Sequence, residues 1–323
     1  MRRPVGSLIL AGILFAFGAG QSAFAETTVV TSIKPVHSLV AGVMEGVGAP
    51  YLIVKGASSP HTYSLKPSDA KALEQANAVF WVGDGVETFL GSSIDKLARS
   101  ALIVELAKAP GLTLHEIREG GPWAAHEDHD DHGEHADGEH TEAEGHHDHD
   151  GVDMHLWLDP DNAKAMVAKV VKALAKADPE NAAAYRANGR TLTARLDALT
   201  AELEGSLSPV RSKPFVVFHD GFQYFEKRFG LNAAGSVTVS PEIQPGADRL
   251  RQIRHRISEL GAVCVFAEPQ FASRLIDVVI EGTKASAGVL DPLGADLNDG
   301  PELYFTLMKR NAATLKDCLA LSG

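Results

Sequence analysis

Twice along this chain, short β-rich runs alternate with helical stretches, and one long helical segment stands between the two series. The first series runs through Val29 to Ile33, a helix from His37 to Val47, Tyr51 to Val54, a helix from Pro67 to Asn77, Val79 to Val82, a helix from Glu87 to Arg99, and Leu102 to Val104. The second comprises Phe215 to Phe218, Ser236 to Val239, Ala262 to Phe266 and Gly288 to Leu290, with amphipathic stretches between them. Strands that alternate with helices predict parallel sheets wrapped by helices. Asn181 to Leu207 carries Leu192, Leu196, Leu199 and Leu203 at three- and four-residue steps and has no internal proline. It therefore predicts a helix of about 27 residues, near 40 Å long. The expected fold is α/β, with two lobes, each a mainly parallel sheet, joined by one long rigid helix that acts as a strut. The expected boundaries are a lobe over 26–179, the connecting helix over 180–208 and a second lobe over 209–323.

The 323 residues, 45% of them hydrophobic, exceed what one core commonly serves and supply two. Met1-Arg2-Arg3, an apolar run from Leu8 to Ala19 and Ala23-Phe24-Ala25 have the order of a secretory signal, which puts the mature start at Glu26. The apolar run is too short to span a bilayer. Export to an oxidising compartment favours a disulfide between the two cysteines, Cys264 and Cys318, which would close a loop of about 54 residues; two buried free thiols are the alternative.

The net charge of −12 is local. Residues 126–150 hold eleven Asp and Glu and no Lys or Arg, which accounts for all but one unit of it. A near-neutral remainder without a basic stripe argues against nucleic acid as a partner. The same stretch holds His126, His129, His132, His135, His140, His146, His147 and His149. With no apolar period it cannot build a core, so 120–150 reads as a disordered insertion in the first lobe whose imidazoles could hold several metal ions weakly. A solvated acidic insertion is the plainer reading.

Three histidines outside the insertion stand where an ordered run meets a turn: His61 after Ser58-Ser59-Pro60, His155 before Leu156-Trp157-Leu158, and His219 at the end of Phe215 to Phe218. In open α/β sheets ligands collect beyond the carboxyl ends of strands, and His61 and His219 fit that rule, one in each lobe. Taken singly, each is equally an ordinary turn or buried histidine. Asp291, after Gly288-Val289-Leu290, and Glu268, after Val265-Phe266-Ala267, are the carboxylates at comparable positions. Three neutral imidazoles with a carboxylate or water suit Zn²⁺, whereas manganese favours more oxygen donors. His37 and His255 lie within helical patterns, where a packed or solvent-facing role is the rule, and His115 follows Leu112-Thr113-Leu114 without a partner motif. The chain has no His-Glu-x-x-His helix and no Gly-x-Ser-x-Gly elbow, so no hydrolase chemistry is expected.

Gly56-Ala57-Ser58-Ser59-Pro60-His61-Thr62-Tyr63-Ser64-Leu65-Lys66-Pro67, Met154-His155-Leu156-Trp157-Leu158-Asp159-Pro160, Phe218-His219-Asp220-Gly221-Phe222-Gln223-Tyr224-Phe225, Pro241-Glu242-Ile243-Gln244-Pro245-Gly246 and Phe266-Ala267-Glu268-Pro269-Gln270-Phe271 occur in that order. Together with Ile33-Lys34-Pro35, they give the whole mature chain a likeness to the zinc-binding periplasmic components of bacterial ABC importers, the ZnuA type. What the resemblance implies is a monomeric periplasmic protein whose two lobes hold one Zn²⁺ on His61, His155 and His219 and hand it to an inner-membrane importer permease. Manganese-type relatives have a carboxylate where His219 stands, so the likeness is to the zinc branch. Relatives often have an acidic residue before the first histidine, where this chain has Pro60. The fourth position then falls to Asp291 or a water, and Glu268 orients the site from behind the ligands. The alternatives are a periplasmic zinc buffer or metallochaperone, or a manganese-type binding protein.

Overall fold

The structure is a computed structural model and describes residues 27–118, 123, 151–238, 245–271 and 274–320. The signal expected over 1–25, almost all of the 120–150 insertion, and Pro241 to Gln244 lie outside the described residues. Among the described residues, no helix is long and apolar enough to cross a membrane.

Two four-stranded parallel sheets form. The first has strands β1 (Val29–Thr31), β2 (Tyr51–Leu52), β3 (Ala78–Trp81) and β4 (Leu102–Glu105) in the order β2-β1-β3-β4. The second has β5 (Pro214–Val217), β6 (Asn232–Ser236), β7 (Cys264–Ala267) and β8 (Ser286–Val289) in the order β6-β5-β7-β8. Strands β1, β3 and β7 are buried at every residue, which is why they read as continuous apolar runs rather than alternating ones. In each sheet the chain starts on an inner strand, pairs outward, and then crosses back. The reversal leaves a crevice beyond the strand ends, between β1 and β3 and between β5 and β7.

Helices α1 (Lys34–Val43), α2 (Pro67–Glu74) and α3 (Gly91–Leu97) serve the first sheet, and α6 (Gln223–Phe229), α7 (Ala247–Leu260), α8 (Arg274–Ile280) and α9 (Leu303–Ala320) the second. Their starts depart from the apolar periodicity for local reasons. α1 begins three residues before His37 because Pro35 sits in its first turn. α3 begins four residues after Glu87 because the Glu87 carboxylate turns back to accept the Val82 and Gly83 N–H groups. β6 begins at Asn232, before the Ser236 to Val239 run, since the ladder with β5 rather than β-propensity decides its extent.

Along the chain, α4 (Pro160–Ala177) and α5 (Ala182–Leu207) separate the two series of strands. The α5 helix buries Tyr185, Gly189, Leu192, Leu196, Leu199, Leu203 and Leu207, the stripe its leucine spacing predicts. That stripe packs on α4, α1 and α9, so α5 forms part of a helical layer instead of a free strut. Contact with α4 is close: a Cβ at Gly189 would lie 2.5 Å from Val171 Cγ2.

Side chains from one half bond to the backbone of the other. Trp157 Nε1 donates to Pro292 O at 2.8 Å, Tyr304 Oη to Trp157 O at 2.6 Å, and Lys34 Nζ to Leu297 O at 2.7 Å. Cys264 of β7 and Cys318 of α9 form a disulfide across 54 residues, with Cα atoms 6.2 Å apart, which disposes of the free-thiol alternative.

Candidate metal centre

His61 lies in the loop after β2, with its N–H donating to Ser59 Oγ at 3.3 Å. His155 caps the short 3₁₀ turn Leu156–Leu158 that leads into α4. His219 lies two residues beyond β5, at the crevice where the second sheet reverses. The fold brings these three together. Among the described residues, they are the group of His, Cys, Asp and Glu whose ligand atoms all lie within 4.8 Å of one another.

Two of the rings are fixed from behind by carboxylates. Asp153 Oδ1 accepts both the backbone N–H of His155, at 3.0 Å, and its ring Nδ1, at 2.8 Å. Glu268 Oε1 does the same for His219, at 3.2 Å from the backbone nitrogen and 2.5 Å from Nδ1. Each carboxylate thereby selects the tautomer with Nε2 unprotonated and turns that atom inward, an arrangement common behind metal-bound imidazole. The two Nε2 atoms lie 3.2 Å apart. The edge of a tetrahedron with metal-nitrogen bonds of about 2.0 Å is about 3.3 Å.

Such close imidazoles cannot all be protonated. Burial, then the neighbouring His155 and His219 rings, bring the His61 pKa down to about 3, so its ring is neutral at ordinary pH. At His219 burial works in the same direction, but the Glu268 carboxylate outweighs it and lifts the pKa above 6.5. Asp153 is also buried, yet its bonds from His155 hold it below the usual carboxylate range. Small residues make room: a Cβ at Gly221 would lie 2.5 Å from His219 Nε2 and 3.1 Å from His155 Nε2. Trp157, Phe271, Pro60 and Leu293 wall the pocket.

Asp291 is not brought into this cluster. Its Oδ1 accepts the N–H groups of Leu293 and Gly294, both at 2.9 Å, and Gln270 Nε2 at 3.1 Å, while Oδ2 accepts the Ala295 N–H at 2.6 Å. The carboxylate closes the turn after β8 instead of facing the three imidazoles. Glu268 stands directly behind His219, as an orienting carboxylate would. Of the remaining described histidines, His37 is buried in α1 against Pro50 O, His115 packs on the Tyr224 ring, and His255 pairs with Glu259 on the surface. The eight histidines of the insertion lie outside the described residues. Asp153, just before the run Met154 to Pro160, is the residue that reading from the sequence misses; nearness to His155 along the chain does not tell which ring a carboxylate will face.

The family model described as "Zinc-uptake complex component A periplasmic" matches residues 29–318. The high-affinity zinc uptake system protein ZnuA of Brucella suis is 52% identical over 329 residues, covering 97% of this chain and 98% of that protein. The protein of the same name from Yersinia pestis is 36% identical over 302 residues, covering 91% and 92%. Among solved structures, a crystal structure of ZnuA aligns with a TM-score of 0.74 at 24% identity, covering 91% of this chain and all of that one. The manganese complex of the binding protein FpvC from Pseudomonas aeruginosa also aligns with a TM-score of 0.74, at 20% identity and 93% coverage. At those identities the structural matches establish the fold alone.

Proposed function

The chain belongs to the zinc-uptake complex component A periplasmic family, and from that premise we propose that it binds one Zn²⁺ on the Nε2 atoms of His61, His155 and His219 and delivers it to an ABC-type importer. Zinc is cargo here, and no reaction is assigned to the protein. The observation that carries the reading is the convergence of three imidazoles from separate segments, two of them pre-aimed by buried carboxylates. A set of neutral nitrogens favours zinc over manganese, which prefers more oxygen. We assign the fourth position to water, since both oxygens of Asp291 are taken by N–H groups.

We assign the protein to the periplasm, a reading that the secretory pattern of residues 1–25 and the family description support, and we propose that it acts there as a monomer. We divide the mature chain into a lobe over 26–179 that carries the 120–150 insertion, a connecting helix over 180–208 and a lobe over 209–323. Packed against α4, α1 and α9, the connecting helix limits how far the lobes can open.

Calorimetric titration of wild type, His155→Ala and His219→Ala tests the site. Each substitution should remove the tight class of zinc binding, and a tight site that survives either one would refute the assignment. Uptake of labelled zinc by a deletion strain in chelated medium separates delivery from buffering: a pure buffer would leave initial import unchanged.

A further inference from the structure

A network of polar side chains behind the metal site joins the base of the insertion to α6, and the site as described so far does not use it. Arg118 stands at the start of the insertion. Its Nε lies 3.1 and 2.9 Å from the two oxygens of Asp220, its Nη2 also bonds Asp220, and its Nη1 reaches Glu226 Oε2 at 2.6 Å. The guanidinium stacks on the Trp123 ring, 3.4 Å from the centroid, and Trp123 O accepts a hydrogen bond from Ser236 Oγ at 3.1 Å. Glu226, on α6, is buried, and Asp220, on the His219 turn, is mostly covered. Two like charges so close and so dry stay together only with a cation between them, and a planar guanidinium can face both at once where an ammonium cannot.

The same helix reaches the other anchored ligand. Gln223 Nε2 donates to Glu116 O at 3.0 Å and to Asp153 Oδ2 at 3.3 Å, and Tyr224 Oη donates to Asp153 O at 2.7 Å. Asp153 is the carboxylate whose other oxygen fixes His155. Arg118 is thus one residue removed from His219, through Asp220, and it holds the helix whose first turn sets Asp153 behind His155.

We propose that Arg118 is a positioning residue for the metal site: by bridging Asp220 and Glu226 it fixes α6, and through α6 it sets the distance between the His155 and His219 imidazoles. The inference rests on the three-histidine reading above.

The test uses the full mature chain, stripped of metal, with two variants. Arg118→Lys keeps a positive charge but not the fork. Arg118→Gln/Glu226→Gln removes the cation together with the more deeply buried of its two carboxylates, so that only the partly exposed Asp220 loses its partner. Bound Co²⁺ is the probe, since its visible absorption reports the angles and distances of its ligands in whatever fraction is folded. Zinc release to a chelator is timed alongside, with His219→Ala as reference. Both variants should shift or weaken the Co²⁺ spectrum and release zinc at least about tenfold faster, the scale on which groups behind metal ligands act. A wild-type spectrum and release rate in both variants, with His219→Ala clearly altered, would overturn the positioning role and leave the three-histidine site standing. If wild type and His219→Ala gave one spectrum, the site itself would fall and this inference with it.

Discussion

At His219 one buried carboxylate does two things: Glu268 Oε1 takes the backbone N–H, which fixes where the turn leaves β5, and takes Nδ1, which fixes how the ring rotates. Glu268→Gln keeps the volume but removes the charge that polarises the imidazole. Zinc affinity should fall by about 10- to 100-fold while the thermal unfolding of the metal-free protein changes little. Calorimetry and melting curves on the same samples check both halves of that statement. A second carboxylate makes a different prediction. Glu87 is fully buried in the first lobe, and burial raises its pKa from 4.5 to about 7 despite the Val82 and Gly83 N–H groups it accepts. The folded state therefore holds a proton that the unfolded chain releases between about pH 4.5 and 7. Its contribution to stability is complete below pH 4.5 and is lost as pH rises through 7, amounting to at most about 3 kcal/mol. Comparing Glu87→Gln with wild type at pH 5 and pH 8 should show the variant gaining on wild type at the higher pH; a pH-independent difference would mean that Glu87 is ionised throughout. His61, His155 and His219 were legible as candidates because each stands where an ordered run meets a turn. Asp153 was not, because a lone acid beside a histidine in sequence carries no mark of the ring it will face.

The elements themselves were legible where apolar spacing was long and regular, as in α5, and less so where a single side chain or a proline sets the boundary, as at Pro35 and Glu87. What spacing cannot supply is the partner of a buried stripe, and so the α5 leucines predicted a helix but not the layer it enters. The contact between α4 and α5 turns on Gly189, in the middle of a helix where alanine is intrinsically better by about 1 kcal/mol. The added methyl group would meet Val171 Cγ2 at 2.5 Å, too near for both atoms to remain where they are. Overpacking of this kind costs about 1–3 kcal/mol and should outweigh the gain in propensity. Gly189→Ala is accordingly expected to lower the denaturant midpoint, and Gly189→Ala with Val171→Ala to recover part of the loss. A single variant more stable than wild type would show that α4 and α5 can move apart freely, contrary to the layer they form with α1 and α9.

For the molecule as a whole, the insertion and the cleft have to be reconciled. Residues 126–150 combine eight histidines with eleven acids, whereas the cleft offers three imidazoles on packed elements. Ligands already in place lose little conformational freedom on binding, while a segment that cannot build its own core has to be ordered by the ion it binds. The cleft should therefore hold zinc more tightly per site, and the insertion should contribute number. The geometry at the base of the insertion makes the separation testable. Ile117 N donates to Gly151 O at 2.7 Å and Asp153 N to His115 O at 2.9 Å, so the two chain ends already meet in a short antiparallel stem. Removing 126–150 spares this stem and both partners of the Arg118–Trp123 contact. The deletion should lower zinc stoichiometry to one and leave the affinity of that one site unchanged. His219→Ala in the full chain should do the opposite, retaining several weak sites after the tight one is gone. Protons compete for the same nitrogens, and His219 has a pKa lifted above 6.5, so tight binding should already weaken between pH 7 and pH 6 and be largely lost near pH 5. Titration of the deletion variant at pH 7.5 and pH 5 decides the matter: loss of the tight site at the higher pH would mean that the insertion supplies a ligand to the cleft and that three histidines are not enough.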